Sequence, residues 1–175
     1  MSDTPDPVLQ RVRAGLHWPS WQHWQDAVAD ELPTIDLGPV DHHSRDVAIR
    51  SRLSLAKTTD HGGPYLDIFT TQAHERIERE FGQELGPLAS FTFAIKDLLA
   101  VEGRPMMAGS AARQDAPPEQ ATAPMIRSLE ALGAVSIGTV TLHEFAFGVT
   151  GINPFAGTAM NPTAPDRITG GSSSG

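Results

Sequence analysis

The chain has 175 residues and a net charge of −8 at neutral pH, with an isoelectric point near 5.2. This length suits one ordinary domain with a hydrophobic core, and the acidic balance with dispersed Lys and Arg residues argues against direct binding to nucleic acid. The absence of cysteine excludes disulfides, thiolate zinc sites and a cysteine nucleophile. With no signal pattern and no apolar run of about 20 residues, we expect a cytoplasmic protein that does not enter a membrane.

Residues 1–64 show no sustained hydrophobic period and are dense in Pro, Asp and His. We expect them to form an N-terminal helical or irregular extension with two short helices, over 20–29 and 44–56. Three tryptophans recur at three-residue spacing and would pack one side of the first helix against the domain body. They are Trp18, Trp21 and Trp24.

His42 and His43 resemble a metal-binding pair only in composition. Adjacent side chains diverge on a helix or a strand, and no third ligand lies nearby in the sequence. We therefore interpret both as surface histidines, and we expect neither a metal site nor another cofactor.

Residues 65–175 alternate apolar runs with charged segments. An apolar stretch over 65–69 leads to a charged helix over 73–81, and a buried strand over 91–95 follows, with Lys96 at its far end. Because that strand is nearly all apolar, we expect it to be an interior strand with both faces covered.

The next elements complete a strand, helix, strand order. A helix over 119–132 is opened by Pro117 and Pro118 and closed by Gly133. Its apolar face is predicted to consist of Met125, Leu129 and Leu132. A second strand over 134–140 would pair in parallel with the first, within an α/β layer. A short helix or turn follows over 142–148, and 149–175 is predicted to be loop.

Lys96 is unusual because burying an ammonium costs several kcal/mol unless it is paired or gives up its proton. In one interpretation Lys96 only caps the strand, and its amine reaches water or Asp97. In the other, it has a chemical role.

The segment 170–175, Gly-Gly-Ser-Ser-Ser-Gly, also has several interpretations. It could be a flexible linker, because Gly and Ser alone form a random coil. It matches a nucleophile elbow centred on Ser173, but that elbow needs a preceding strand, and the Pro-rich residues 161–167 do not form one. The third interpretation is an active-site loop whose glycines let backbone amides and serine hydroxyls approach a substrate.

A series of short segments in order favours this third interpretation. They are Leu85-Gly86-Pro87-Leu88, Phe93-Ala94-Ile95-Lys96-Asp97, Gly103-Arg104-Pro105-Met106-Met107-Ala108-Gly109-Ser110, Leu132-Gly133-Ala134, Glu144-Phe145-Ala146-Phe147-Gly148, Asn153-Pro154, Gly157-Thr158, Asn161-Pro162 and Arg167-Ile168-Thr169-Gly170-Gly171-Ser172-Ser173-Ser174-Gly175. Taken together, they resemble the amidase signature family over about residues 65–175.

The resemblance implies an α/β fold with a mixed sheet flanked by helices, of which 65–175 would be the N-terminal part, incomplete because the chain stops early. It also implies a serine, cis-serine, lysine triad. Lys96 matches the catalytic lysine, and Ser172 matches the bridging serine, which is reached through a cis peptide bond. The remaining loop positions would shape the substrate site, namely Gly170, Gly171, Ser173 and Ser174.

The implied reaction is cleavage of a carboxamide C–N bond through an acyl-enzyme. A lysine amine can act as the base, and a short serine can relay the proton of the attacking hydroxyl. The attacking serine and the oxyanion hole would lie in a segment after Gly175, so the 175-residue chain is expected to be inactive. Ligand sites in open α/β sheets gather at the carboxyl ends of strands, so the Lys96 amine should point toward the loop that carries Ser172.

The expected partner is a small-molecule amide, and a homodimer is possible. One alternative is the glutaminase subunit of a tRNA-dependent amidotransferase, which needs partner subunits. Another is a non-catalytic scaffold that kept the fold. The chain departs from the usual family pattern at 139–142, where Thr-Val-Thr-Leu replaces Lys-Thr-Asn-Met, and at His143, which stands in a usually acidic position. It also has Ser-Ser-Ser-Gly where Ser-Ser-Gly-Gly is commoner.

Overall fold

The computed structural model of the protein describes residues 41–58 and 63–175. The predicted helix over 20–29 and its tryptophans lie outside this part of the chain. The described residues form a three-stranded sheet and three α-helices. In chain order these are α1 (His42–Thr58), β1 (Tyr65–Ile68), α2 (Thr70–Arg79), β2 (Thr92–Lys96), α3 (Pro124–Ala131) and β3 (Val135–Val140).

The strands lie in the order β1, β3, β2, so that β3 is central. It pairs antiparallel with β1 and in parallel with β2, where Lys96 faces Val140. The predicted α/β class and the parallel pair are therefore confirmed. Gly138 lets β1 approach closely, because a Cβ there would lie 2.3 Å from the carbonyl oxygen of Asp67.

The prediction that β2 is an interior strand is wrong for the described sheet. β2 lies at its edge, and Ala94 is exposed. Only Ile95 of this strand is buried, so the expected cover of both faces is not found in the described sheet either, and an apolar composition does not give the number of hydrogen-bonded neighbours. The strand with neighbours on both sides is β3, in which Val135, Ile137, Gly138 and Val140 are all buried.

α1 and α2 cover one face of the sheet. Their buried side chains meet β3 in a cluster made by Ile49, Leu53, Ala73, Ile77, Val135 and Ile137. Full burial of an aliphatic side chain contributes about 1.5–3 kcal/mol, so this cluster is a major source of stability. Pro39–Gly175 forms one compact unit, which means that α1 belongs with the sheet.

A chain of ion pairs ties the same helices together. Arg45, which is only 1% exposed, reaches the Glu80 carboxylate at 2.5 Å and donates to the Ala89 carbonyl at 3.1 Å. Arg76 also binds Glu80, at 2.8 Å, and donates to the backbone carbonyl of Glu130 at 2.5 Å. Glu80 is thus shared by two guanidinium groups, one from each helix.

α3 packs on the opposite face, where Ile126 meets Phe69 and Ile95. This helix begins at Pro124 and not at residue 119, because the residue before a proline avoids the helical region, and Ala123 is extended (ψ 137°). Glu119 instead forms a bridge with Glu102. The predicted apolar face is also wrong, since Met125 and Leu132 are 57% and 45% exposed while Ile126 is buried.

The other predicted elements are found with small shifts. The helix predicted over 44–56 is α1, and the one predicted over 73–81 is α2, which begins three residues earlier, at Thr70. The turn at 142–148 contains a 3-10 helix over Glu144–Ala146. Residues 149–175 contain no helix or strand, only an isolated bridge.

In the structure His43 is exposed, while His42 is partly buried, with its ring 5.2 Å from that of Phe81. Within 41–58 and 63–175, no group of three or more His, Cys, Asp or Glu side chains could hold a metal ion. No helix in these ranges has the length and apolar character needed to cross a membrane.

Candidate active site

Lys96 is the last residue of β2, and its position is fixed by the neighbouring strand. It pairs with Val140, and the next backbone N–H, that of Asp97, donates to the Val140 carbonyl at 3.1 Å. Because β2 and β3 are parallel, their carboxyl ends lie at the same end of the sheet. The segment that follows β3 therefore lies beside Lys96.

The loop that carries Ser172 runs along the segment that follows β3. The His143 N–H donates to the Ser172 carbonyl at 3.0 Å, and the Gly175 N–H donates to the Thr141 carbonyl at 3.1 Å. These two bonds place a remote part of the chain at the end of β2.

The Lys96 amine contacts two of the three serines of that loop. It donates to Ser172 Oγ at 2.7 Å and to Ser173 Oγ at 2.9 Å, across separations of 76 and 77 residues. Ser172 is partly buried and Ser173 is exposed, so the group opens to solvent on one side. The predicted approach of the Lys96 amine to Ser172 is confirmed, within the range of about 2.6–3.2 Å that proton transfer requires.

Glycines allow the loop to fold tightly beneath these serines. The Gly171–Ser172 peptide bond is cis, as the resemblance implied, and Gly170 adopts a φ of +84°. A Cβ at Gly171 would lie 2.8 Å from the backbone nitrogen of Gly151, and one at Gly151 would lie 2.3 Å from the Gly170 carbonyl oxygen. The two backbone segments therefore touch where any side chain would separate them.

Asp97 does not pair with the lysine beside it. Its buried carboxylate accepts the backbone N–H groups of Met107 at 3.2 Å and Gly109 at 3.4 Å. Burial raises the pKa of the Asp97 carboxyl, while these N–H donors and the charge of Arg113 act in the opposite direction.

Asn153 is a second buried polar group near the site, and it is only 1% exposed. Its amide nitrogen donates to the carbonyls of Gly109 and Leu142, both at 2.8 Å. Its amide oxygen accepts from the backbone N–H groups of Phe155 at 3.1 Å and Ala156 at 2.8 Å. All of its hydrogen-bonding capacity is thus used.

Ser174 and His143 complete the surroundings of the loop. Ser174 is buried, and its hydroxyl has no hydrogen-bond partner among the described residues. The His143 ring lies against the backbone of Gly148, and its Nδ1 is 3.3 Å from Thr150 Oγ1. The imidazole thus supports the turn at 148–151 on which the serine loop rests.

Sequence reasoning missed the parts played by Asp97 and Asn153. It treated Asp97 only as a possible neighbour of the Lys96 amine, and Asn153 only as part of a family-like dipeptide. The available signals were a short carboxylate directly after a buried strand and an Asn before Pro154 within a loop. Both residue types commonly hold backbone groups in turns.

The family of the chain follows from its sequence. The Amidase family profile matches residues 67–175, which is more than half of the chain. The protein belongs to the amidase family.

Individual relatives agree with this assignment. The chain is 40% identical over 119 residues to AtzE, a subunit of the 1-carboxybiuret hydrolase of Pseudomonas sp. (strain ADP), covering 63% of this chain and 26% of that protein. It is also 40% identical over 116 residues to a glutamyl-tRNA(Gln) amidotransferase subunit of Akkermansia muciniphila, covering 61% of this chain and 24% of that protein.

Among solved structures, the native peptide amidase of Stenotrophomonas maltophilia matches with a TM-score of 0.62 and 27% identity. This match covers 74% of this chain and 29% of that protein. The chain spans about a quarter of the length of the curated relatives named above.

Proposed function

We propose that the chain supplies the base and the proton relay of an amide hydrolase, with Lys96 as the base and Ser172 as the relay. The observation that carries this proposal is the 2.7 Å contact between the Lys96 amine and Ser172 Oγ. Family membership supports the same proposal, because relatives named as an amidase, a carboxybiuret hydrolase subunit and an indoleacetamide hydrolase match this chain.

In the proposed reaction, the Lys96 amine takes the proton of Ser172, which takes the proton of an attacking serine hydroxyl. That attacking oxygen bonds to the amide carbon, and the C–N bond breaks as the relay returns the proton to the departing nitrogen. Water then cleaves the acyl ester by the reverse relay and releases the carboxylic acid. Ser173, which shares the Lys96 amine at 2.9 Å, helps to hold that amine in line.

We place the attacking serine outside the 175 residues, as the resemblance implies. Gly170, Gly171 and Ser174 would shape the loop and not react. The substrate would be a small carboxamide. The match to a protein of the amidotransferase class favours a second candidate, in which the same site releases ammonia from glutamine for a partner protein.

The test compares the 175-residue chain with the open reading frame extended to its natural stop codon. We expect the extended protein to hydrolyse simple aryl amides and the 175-residue chain not to do so. Lys96→Ala should lower kcat by roughly 10²–10⁴-fold, the usual worth of a positioned base. Lys57→Ala, which changes an exposed lysine at the end of α1, is the matched control.

A serine-reactive fluorophosphonate locates the nucleophile directly. The modified peptide should lie after residue 175, and its labelling should slow in the Lys96→Ala variant. Lys96-dependent turnover by the 175-residue chain alone, or a label on Ser172, would overturn the proposed roles.

A further inference from the structure

Gly109 is held at both ends by buried side chains. Its N–H donates to the Asp97 carboxylate at 3.4 Å, and its carbonyl accepts from the Asn153 amide at 2.8 Å. Its φ is +63°, and a Cβ there would lie 2.5 Å from Asn153 Nδ2. Only glycine allows Asp97 and Asn153 to close on the same residue.

Each of these two side chains is also connected to one part of the site, Asp97 to the lysine and Asn153 to the serine loop. Asp97 directly follows Lys96, and its backbone N–H is bonded to Val140. The second amide hydrogen of Asn153 binds the Leu142 carbonyl at 2.8 Å, immediately before His143, whose N–H holds the Ser172 carbonyl. The lysine side and the serine side are therefore joined through Gly109.

We propose that Asp97, Gly109 and Asn153 form a polar clamp that keeps the Lys96 amine and Ser172 Oγ at hydrogen-bonding distance. Asp97 and Asn153 are positioning residues in this scheme, since neither touches the reacting atoms. The clamp rests on the proposed function in one respect: the proposed proton relay is the reason why this distance must be kept.

The chain offers a matched pair of substitutions. Asn153→Asp keeps the size of the side chain but removes both amide hydrogens, which leaves the carbonyls of Gly109 and Leu142 without this donor and places a carboxylate in a buried position. Asn161→Asp is the same change in the chain's other Asn-Pro dipeptide, where the side-chain oxygen accepts all the bonds, from Thr163 and Ala164. This control variant should behave like the wild type in both measurements described below.

Two measurements on the 175-residue chain test the clamp without any turnover. The first is acylation of the Lys96 amine by an N-hydroxysuccinimide ester, followed by peptide mapping. The second is hydrogen exchange of the Gly109 and His143 amides, with Ala73 in α2 as the reference for global folding. In Asn153→Asp we expect several-fold faster acylation of Lys96 and roughly tenfold faster exchange at both amides, equivalent to about 1.4 kcal/mol.

Lys96 acylation that stays at the wild-type rate in Asn153→Asp, with Ala73 still protected, would overturn the clamp. If that variant does not fold, native-state exchange in low denaturant on the unmodified chain decides the question. Gly109 and His143 should then open in one step with equal free energies, and separate opening would refute the clamp.

These outcomes are independent of the proposed function. If the clamp holds but the site is not an amidase, Lys96 acylation still responds to Asn153→Asp. In that case, Lys96→Ala leaves amide turnover by the extended protein unchanged.

Discussion

The two sides of the molecule are held together by different forces. On the helix side, which comprises α1, α2 and the face of β3 that they cover, buried aliphatic side chains and shared ion pairs join the elements. On the loop side, which comprises residues 97–110 and 141–175, side chains bonded to backbone groups hold segments without regular structure. The helix side thus contains the six-residue buried aliphatic cluster, and the loop side supplies the geometry of the site.

Backbone conformation separates the two sides as well. Ala108, Phe145 and Ala146 have φ values of 53°, 51° and 56°, and all three lie on the loop side. Such conformations cost of order 1–3 kcal/mol each and persist where surrounding contacts enforce them. Here the Phe145 N–H binds the Ala108 carbonyl at 2.9 Å, so two of these residues support each other. Strain is concentrated where the site is built.

The largest effect expected from a single change on either side is that of Glu80→Ala on the helix side. This change would leave the buried Arg45 guanidinium without its carboxylate, and we expect a loss of roughly 3 kcal/mol in the free energy of unfolding. Urea unfolding measures this loss. Glu78→Ala, an exposed glutamate of the same helix, should change the free energy by less than about 0.5 kcal/mol.

A double variant sharpens that result. Arg45→Met combined with Glu80→Leu removes both charges, and much of the lost stability should return, because apolar pairs of similar volume replace buried ion pairs well. Equal, small effects of Glu80→Ala and Glu78→Ala would show that the ion pairs do not hold the helix side together.

Two carboxyls should respond to pH in opposite directions, Asp41 directly before α1 and Asp97 on the loop side. The backbone N–H and then the hydroxyl of Ser44 lower the pKa of Asp41 below its ordinary value of 3.8. Burial raises the pKa of Asp97 above the same value. Asp41 therefore stabilises the fold when pH exceeds 3.8, and this contribution is lost as pH falls through the lower, folded value.

For Asp97 the sign is reversed. The stabilisation of the fold by Asp97 is complete below pH 3.8, the ordinary pKa, and it is lost as pH rises through the higher pKa of the folded state. Unfolding of Asp41→Asn, Asp97→Asn and the wild type between about pH 2 and 6 tests both. As pH rises toward 3.8, the free energy of unfolding of the wild type should increase relative to that of the Asp41 variant. As pH rises above 3.8, it should decrease relative to that of the Asp97 variant. Parallel pH profiles for the two variants would contradict this.

The smallest effect concerns the serine loop itself. Ser174→Ala removes a buried hydroxyl that has no partner among the described residues, so stability should stay the same or rise by up to about 1 kcal/mol. Ser110→Ala is the control, because the buried Ser110 hydroxyl donates to Glu144 at 2.6 Å and should cost about 1–3 kcal/mol to remove. A Ser174 variant that loses as much stability as the Ser110 variant would show that its hydroxyl is bonded.

Local patterns in the sequence were sufficient to predict the presence and type of most of the described helices and strands. Local sequence features predicted α1 as a short helix, α2 as a charged helix and the two parallel strands as apolar runs. The same reasoning failed for α3, where a proline at position 124 overrode the run of helix-forming residues before it. Local patterns also did not predict the edge position of β2, because composition does not reveal the number of neighbouring strands.

The residues of the candidate site were within reach of the sequence, but their geometry was not. Lys96 after a buried strand, the Gly- and Ser-rich segment at 170–175 and the ordered series of family-like segments together indicated which side chains form the site. The 2.7 Å contact between Lys96 and Ser172 depends on the pairing of β2 with β3 and on the bonds from His143 and Gly175 that align the loop with the end of β3. Those pairings join residues far apart in the chain, and only the folded structure determines them, because no local pattern records which distant backbone groups become hydrogen-bond partners.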